Sequence, residues 1–192
     1  MEPNQFETYR LLLRERLSDH RYTHSLGVMD AARALAERWG ADAEIAETAG
    51  LLHDITKEMP ISEQIAMMER HGVSVDVYET RFEPPFHSIS AACFLCYELG
   101  ITDETVLSAV RWHSTAKPNM NVYEKIIYIA DFIEPNRHYH DVDFYRREAF
   151  SDLDRTCYLG LKWNLMNLLQ KDRPIHRASL DAYHDFLQKR KD

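Results

Sequence analysis

The sequence predicts an all-α protein that forms a single domain over residues 1–192. Apolar residues recur at the three- and four-residue spacing of amphipathic helices, and no strand-like alternation is sustained. Glycine and proline, which interrupt helices, are scarce at 6 and 7 of 192 residues. With 45% hydrophobic residues, a chain of this length can bury one core of ordinary size. We expect a bundle of about eight to ten helices.

Glycine and proline set the predicted helix boundaries in the first half of the chain. Gly40, Gly72 and Gly100 are predicted to follow helix ends, because glycine readily adopts the left-handed backbone found there. Pro84-Pro85 predicts a break, so we expect a loop over residues 73–86. The helices predicted in this half cover residues 6–17, 24–39, 42–52, 60–72 and 88–99.

In the second half, Thr102 is predicted to cap a helix, and Pro135 to end a later one. We expect residues 18–140 to form the core of the domain, with the C-terminal helices 142–190 packing on it. The helices predicted in this half cover residues 102–113, 122–133, 142–170 (with a break near Ser151) and 179–190.

Composition excludes several classes of partner. The formal net charge of −8 argues against nucleic acid, because a phosphate backbone requires a basic face. It still permits a small phosphorylated ligand held by a few local cations and a metal. The N-terminal sequence MEPNQFE lacks the segments of a signal peptide, and no apolar run reaches membrane-spanning length. We therefore expect a cytoplasmic protein that binds neither nucleic acid nor membrane.

The three cysteines could suggest a redox or zinc site. Cys93 and Cys96 have CxxC spacing, but the chain has no second CxxC, and this segment has the pattern of an amphipathic helix. We expect Cys93, Cys96 and Cys157 to be buried structural thiols.

The dipeptide His53-Asp54 is the strongest functional signal in the chain. It follows the apolar run AGLL, so two good metal ligands stand at the edge of a segment expected to be buried. The same dipeptide recurs at residues 140–141 and 184–185, but there it lies among polar and charged residues. We expect those two copies to be solvated surface or capping residues.

Six residues form a candidate ligand set, because each lies on a predicted helix or at its end, beside apolar neighbours. A carboxylate such as Asp131 is costly to bury unless it is paired or bound to metal. Imidazole and carboxylate without thiolate favour iron or manganese, then zinc. Six ligands suit two ions that share a bridging carboxylate, for which Asp54 is the candidate. The set is His24, His53, Asp54, His87, His113 and Asp131.

This order resembles the H…HD…D pattern of the HD-domain metal-dependent phosphohydrolases, and the two intermediate histidines resemble their dinuclear subgroup. Three segments are similar to the bacterial YqeK family of symmetrical diadenosine tetraphosphatases, and Ile175-His176 resembles its C-terminal signature. Where that family is expected to have glycine, this chain has Ser88, Ala91 and Ala116. The three segments are residues 20–24 (HRYTH), 53–57 (HDITK) and 130–137 (ADFIEPNR).

The resemblance implies an HD-domain helical bundle that cleaves diadenosine tetraphosphate symmetrically by attack of a metal-bound hydroxide. A dinucleoside polyphosphate would be the substrate and ADP the product. The implied cofactor is two divalent or trivalent metal ions, with iron favoured and manganese or zinc as alternatives. On the family pattern, the first ion is held by His24, His53, Asp54 and Asp131, and the second by His87 and His113 together with the bridging Asp54.

The resemblance gives catalytic roles to Asp54 and Lys57. Lys57, expected one helical turn after His53, would bind phosphate and stabilise developing charge. Glu134 would orient Arg137 or a ligand histidine. The residues expected to bind phosphate or nucleotide are His20, Arg21, Lys57, Arg137 and His176.

Other interpretations remain open from the residues alone. Another HD-domain nucleotide phosphohydrolase or phosphodiesterase would share the metal site and differ in its pocket. A di-iron oxygenase can use a similar ligand set, and a regulatory module could bind nucleotide without turnover. The histidines could also be separate core residues with ordinary hydrogen bonds. The aromatic-rich stretch 158–169 is expected to be core, but it could instead form the interface of a homodimer.

Overall fold

The computed structural model of the protein describes residues 5–189, apart from the side chains at positions 77, 83 and 84. Over this part of the chain it has eleven α-helices and no β-strand, which confirms the all-α class. The helices are α1 (Gln5–Arg16), α2 (Asp19–Trp39), α3 (Ala43–Leu52), α4 (Ile61–Arg70), α5 (Val77–Thr80), α6 (Glu83–Tyr97), α7 (Glu104–Trp112), α8 (Val122–Ile133), α9 (Val142–Ala149), α10 (Leu153–Gln170) and α11 (Arg177–Lys189).

Most helix ends lie where the sequence predicts them. Gly40, Gly72 and Gly100 have φ of 68°, 71° and 67°, the left-handed backbone that ends a helix. The predicted break near Ser151 separates α9 from α10, and Asp152 caps α10 by accepting from the backbone N–H of Arg155. Local capping chemistry therefore defines these boundaries.

Two predicted boundaries are wrong. The prolines at 84 and 85 do not break a helix, because α6 begins at Glu83 and they occupy its first turn. A proline is tolerated there, since the first N–H groups of a helix have no helical acceptor. The short α5 also lies in the expected loop. The cap of α7 is Asp103 rather than Thr102, and its side chain accepts from the backbone N–H of Thr105 at 2.8 Å.

Four helices pack together at the centre of the bundle. α2 packs on α3 and α8, and α7 packs on α3 and α8. The C-terminal helices contact this group through α8, on which both α9 and α10 pack. Within residues 5–189, no helix is both long enough and apolar enough to cross a membrane.

Helix packing brings helix ends together at one place. α3 and α7 each end at a predicted ligand, His53 and His113, which are their C-terminal caps. α2, α6 and α8 carry His24, His87 and Asp131 within their spans. Five of the predicted ligands therefore lie on or at the end of five different helices, and Asp54 directly follows the end of α3.

Leu13 anchors α1 to the core, and its replacement tests how α1 is held. Leu13 is fully buried, whereas Leu11 on the same helix is 61% exposed. Leu13→Ala should lower the free energy of unfolding by about 2–5 kcal/mol, because it leaves a cavity. Leu11→Ala should change it by less than about 0.5 kcal/mol. Urea denaturation of both variants measures the difference, and equal losses would contradict the packing described for α1.

Candidate metal centre and adjoining cavity

Asp54 lies at the centre of the six predicted ligands and is only 2% exposed. Its Oδ1 lies 2.9 Å from His87 Nε2 and 3.6 Å from His113 Nε2. Its Oδ2 lies 3.4 Å from His53 Nε2 and 3.7 Å from His24 Nε2. The two oxygens of one carboxylate therefore face two different pairs of imidazoles, as a bridging ligand would.

Asp131 completes the cluster on the side of His24. Its Oδ1 lies 3.2 Å from His24 Nε2. The ligand atoms of His24, His53 and Asp131 all lie within 4.8 Å of one another, and so do those of His53, Asp54 and His113. His53 belongs to both groups and lies between them. The structure thus brings all six predicted ligands together.

Backbone hydrogen bonds fix the orientation of two of the histidines. His53 Nδ1 lies 2.7 Å from the carbonyl oxygen of Gly50, and His113 Nδ1 lies 2.7 Å from that of Val110. A carbonyl oxygen only accepts, so Nδ1 carries the hydrogen in both rings. The lone pair is then on Nε2, the atom that faces Asp54. This is the tautomer that a metal-binding histidine requires.

Unpartnered buried nitrogens show that these residues fit a metal ion. Among the residues that the structure describes, His24 Nε2 and His53 Nε2 are buried without a hydrogen-bond partner. A buried polar atom without a partner costs about 1–3 kcal/mol. The Nε2 atoms of His87 and His113 are 3.0 Å apart. Two nitrogens that bind the same ion, each at about 2.1 Å, are expected to lie about this close to each other. A bound cation would supply the missing partner of His24 Nε2 and of His53 Nε2.

The two carboxylates are held in their ionised form. Burial raises the pKa of Asp54, but the charges of His53 and Lys57 outweigh it and hold the pKa well below its usual range. Burial likewise raises the pKa of Asp131, but the contact with His24 and the charge of Arg137 outweigh burial and hold the pKa well below its usual range. Both carboxylates are therefore ready to bind a cation at neutral pH.

Burial also decides the charge of two histidines. It lowers the pKa of His87 to about 4 and also lowers that of His113, although Asp54 opposes the shift in both. Both rings are therefore neutral near pH 7, the form that coordinates metal. His24 differs: burial lowers its pKa, but the close contact with the charged Asp131 outweighs burial and raises it. The His24–Asp131 contact thus attracts a cation.

Three predicted phosphate-binding cations lie beside the ligand carboxylates. Arg21 donates from Nη1 to Asp54 Oδ2 at 2.9 Å, and Arg137 donates from Nη2 to Asp131 Oδ1 at 2.5 Å. Lys57 Nζ lies 3.9 Å from Asp54 Oδ1. Lys57 is not on a helix as expected, because α3 ends before it, but its N–H donates to the carbonyl of Asp54 in a tight turn. That turn directs it to the same cluster.

The two other predicted nucleotide-binding residues are histidines in different surroundings. His20 is exposed in the first turn of α2 and does not line the adjoining cavity. His176 lines that cavity, but its ring nitrogens already have partners. Nδ1 accepts from the N–H of Ala178 at 3.1 Å, and Nε2 lies 2.9 Å from Glu79 Oε2. Contact of either histidine with nucleotide stays a prediction.

A cavity of about 300 Å³ opens beside the cluster. Lys57, His113 and Asp131 line it, and so does the aromatic group formed by Phe132, Tyr139 and Trp163. The ring centroids of this aromatic group lie 4.9–5.4 Å apart. The cavity therefore combines apolar ring faces with the charged atoms of the candidate metal centre.

The HD domain model matches residues 21–136, the range that contains all six predicted ligands. The chain is 36% identical to the symmetrical bis(5'-nucleosyl)-tetraphosphatase of Bacillus subtilis, over 90% of this chain and 92% of that protein. It is 34% identical to the protein of the same name from Staphylococcus aureus, over 96% of each. The chain belongs to the HD-domain family. The resemblance to the YqeK-type members of that family is thereby confirmed.

An HD-domain protein of known structure has the same fold. It is described as a predicted HD superfamily hydrolase involved in NAD metabolism, from Clostridium acetobutylicum. It superposes with a TM-score of 0.92 and is 33% identical, covering 96% of this chain and 97% of that chain.

Several residues beside the cluster were not predicted from the sequence. Ser114 lines the cavity, and its Oγ lies 3.1 Å from His113 Nε2. Trp163 and Asn164 line it from α10, in the stretch expected to be core, and Arg173 adds a cation. The polar Asn164 inside an apolar helix was the available signal. The two other HD dipeptides lie outside the cluster; His140, for example, is 93% exposed and pairs with its neighbour Asp141.

Asp54→Ala should remove both metal ions, because it deletes the one ligand that both would share. Asp141→Ala, in an exposed HD dipeptide, is the matched control and should leave metal content unchanged. Elemental analysis after dialysis, with equilibrium titration of iron or manganese, measures both variants. An Asp54→Ala protein that keeps two ions at unchanged affinity would contradict the bridging role.

Proposed function

We propose that this HD-domain chain is a metal-dependent hydrolase that cleaves diadenosine tetraphosphate symmetrically to two ADP. The observation that carries the proposal is the buried Asp54 between two imidazole pairs, beside a cavity with aromatic and cationic walls. The relatives from Bacillus subtilis and Staphylococcus aureus, named symmetrical bis(5'-nucleosyl)-tetraphosphatases, support the same substrate.

The donor set fits two ions, and we propose iron as the favoured metal. His24, His53 and Asp131 would hold one ion, His87 and His113 the other, and Asp54 both. Nitrogen and oxygen donors without thiolate suit iron or manganese, with zinc as a further alternative. When bound, two ions would neutralise phosphate charge and lower the pKa of a bound water.

The cations of the chain would bind the phosphates. Lys57 and Arg137 both line the cavity and also contact ligand carboxylates, so they can reach a phosphate held beside the cluster. Arg137 has the planar guanidinium that suits two phosphate oxygens. Arg21 contacts Asp54 but does not line the cavity, so it would act on phosphates outside it. The local positive charge offsets the net charge of −8.

The aromatic group Phe132, Tyr139 and Trp163 would hold one nucleoside. Flat rings offer a stacking surface for a base, and the neighbouring Asn164 offers both a donor and an acceptor. A cavity of about 300 Å³ lies at the small end of ligand pockets, which suits one half of the dinucleotide. With one nucleoside seated there, its phosphates would extend toward Asp131 and Lys57.

The proposal is tested by product analysis. Metal-loaded protein is incubated with diadenosine tetraphosphate, and the products are separated by anion exchange. ADP alone is the expected result, because cleavage lies at the centre of the phosphate chain. AMP with ATP would contradict symmetrical cleavage. No product with iron, manganese or cobalt would overturn the substrate and favour another HD-domain nucleotide phosphohydrolase or a non-catalytic binding module.

Trp163→Leu should raise KM for diadenosine tetraphosphate by about 5- to 150-fold, because one stacked base is worth about 1–3 kcal/mol. Trp163→Phe is the matched control, since it keeps a ring and should lose much less. Steady-state kinetics on both variants distinguishes a stacking role from a packing role. Equal losses in the two variants, with equal loss of thermal stability, would refute the nucleoside site.

We also propose that the protein is cytoplasmic. Cys93, Cys96 and Cys157 are free thiols, which suits the reducing cytoplasm of a bacterium. Cys93 and Cys157 are buried, and Cys96 is partly so.

A homodimer is a further proposal. On α10, Met166 and Leu169 are 50% and 63% exposed, so this end of the stretch expected to be core would form the dimer interface. Light scattering of the full chain would give the oligomeric state.

A further inference from the structure

We propose that Glu134 is a positioning residue that controls one of the two metal ions separately from the other. It would do so by holding His24, a ligand on one side of Asp54 only. The inference rests on the proposed metal-dependent function, since it requires two ions. It goes beyond that function because it assigns separate structural control to each half of the centre.

Glu134 is buried and both of its oxygens are engaged. It is 2% exposed, and its Oε1 lies 3.1 Å from His24 Nδ1. Its Oε2 accepts from the backbone N–H of Asn136 at 2.7 Å and from Asn136 Nδ2 at 3.1 Å. The carboxylate is therefore fixed on one side by a turn and presents its other oxygen to the imidazole. The hydrogen on His24 is then on Nδ1, and its Nε2 lone pair faces Asp131.

This partner differs in kind from those of the other oriented histidines. His53 and His113 are each held by a neutral carbonyl oxygen of their own chain segment. His24 is held by a carboxylate 110 residues away in sequence. A carboxylate partner makes an imidazole a stronger ligand than a carbonyl does. The ion on the His24 side would therefore depend on Glu134, whereas the ion on the other side would not.

The helix facing Glu134 leaves room for it. A Cβ at Gly27 would lie 2.5 Å from Glu134 Oε2 and 3.3 Å from Asn136 Nδ2. Gly27 lies inside α2, where glycine costs about 1 kcal/mol relative to alanine. The close approach of the Glu134 carboxylate gives a physical reason for glycine at this position.

The turn that carries Glu134 is itself clamped. Arg146 on α9 donates to the carbonyl oxygens of Ile133, Glu134 and Arg137 at 3.0, 2.9 and 3.0 Å. The same turn places Arg137 on Asp131. One clamped turn therefore holds both His24 and Asp131, two ligands on the same side of Asp54, and leaves the His87 side to other elements.

The test is metal titration of Glu134→Gln in the full chain, with manganese as the probe. The affinity for one ion should fall by about 10- to 100-fold, and the affinity for the other should not change. Glu124→Gln is the matched control, because Glu124 is also a buried carboxylate, bonded to Asn121 and Lys117 at the start of α8. It should leave both affinities unchanged.

Two further measurements separate a positioning role of Glu134 from a folding defect. Asn136→Ala, at an exposed position, serves as a second variant in case Glu134→Gln fails to fold. It should lower the affinity for the same ion by a smaller factor. In a folded Glu134→Gln protein, kcat should fall with little change in KM. Unchanged affinity for both ions, or equal loss at both, would overturn the positioning role. Wild-type protein that binds no manganese would instead overturn the proposed function, so the two failures are distinguishable.

Discussion

Asp54 carries a negative charge in a place that is almost closed to water, and the surrounding structure has to compensate it. Leaving a buried charge uncompensated costs several kcal/mol. Arg21 from α2 and Lys57 from the turn after α3 approach this carboxylate, and four imidazoles surround it. The helices that bring these groups together include α2, α3 and α7, which are three of the four helices that pack at the centre of the domain. Compensation of one carboxylate thus links the packing of the bundle to its chemistry.

Several of the predicted ligands lie at helix ends or in short turns, which fix the orientation of their side chains. His53 and His113 cap α3 and α7, so the last carbonyls of each helix are free to hold the ring. Asp131 lies in the last turn of α8, and Glu134 follows directly. The last carbonyl oxygens of a helix have no intrahelical donor, so they can accept from a histidine ring without breaking a helical hydrogen bond. This favours metal ligands at helix ends. These hydrogen bonds fix the orientation of the His53 and His113 rings, and such precision is what a site on helices offers over one on loops.

Much of this could be predicted from the sequence, because the relevant signals are local. Periodicity gave the helices, and the glycines at 40, 72 and 100 gave their ends. The order of six ligands, together with a resemblance, predicted the cluster that the structure forms. Trp163 and Ser114 could not be found this way, since only tertiary packing brings α10 and the end of α7 to the cavity. The prolines at 84 and 85 were misleading because a helix tolerates proline in its first turn, and the pattern does not show where that turn begins.

We infer that the Asp54 carboxylate binds two metal ions at once. Anomalous diffraction from crystals grown with manganese tests it most directly. Two peaks are expected, one beside each oxygen of Asp54, with His24, His53 and Asp131 around one and His87 and His113 around the other. A single peak, or two peaks that do not share Asp54, would contradict it.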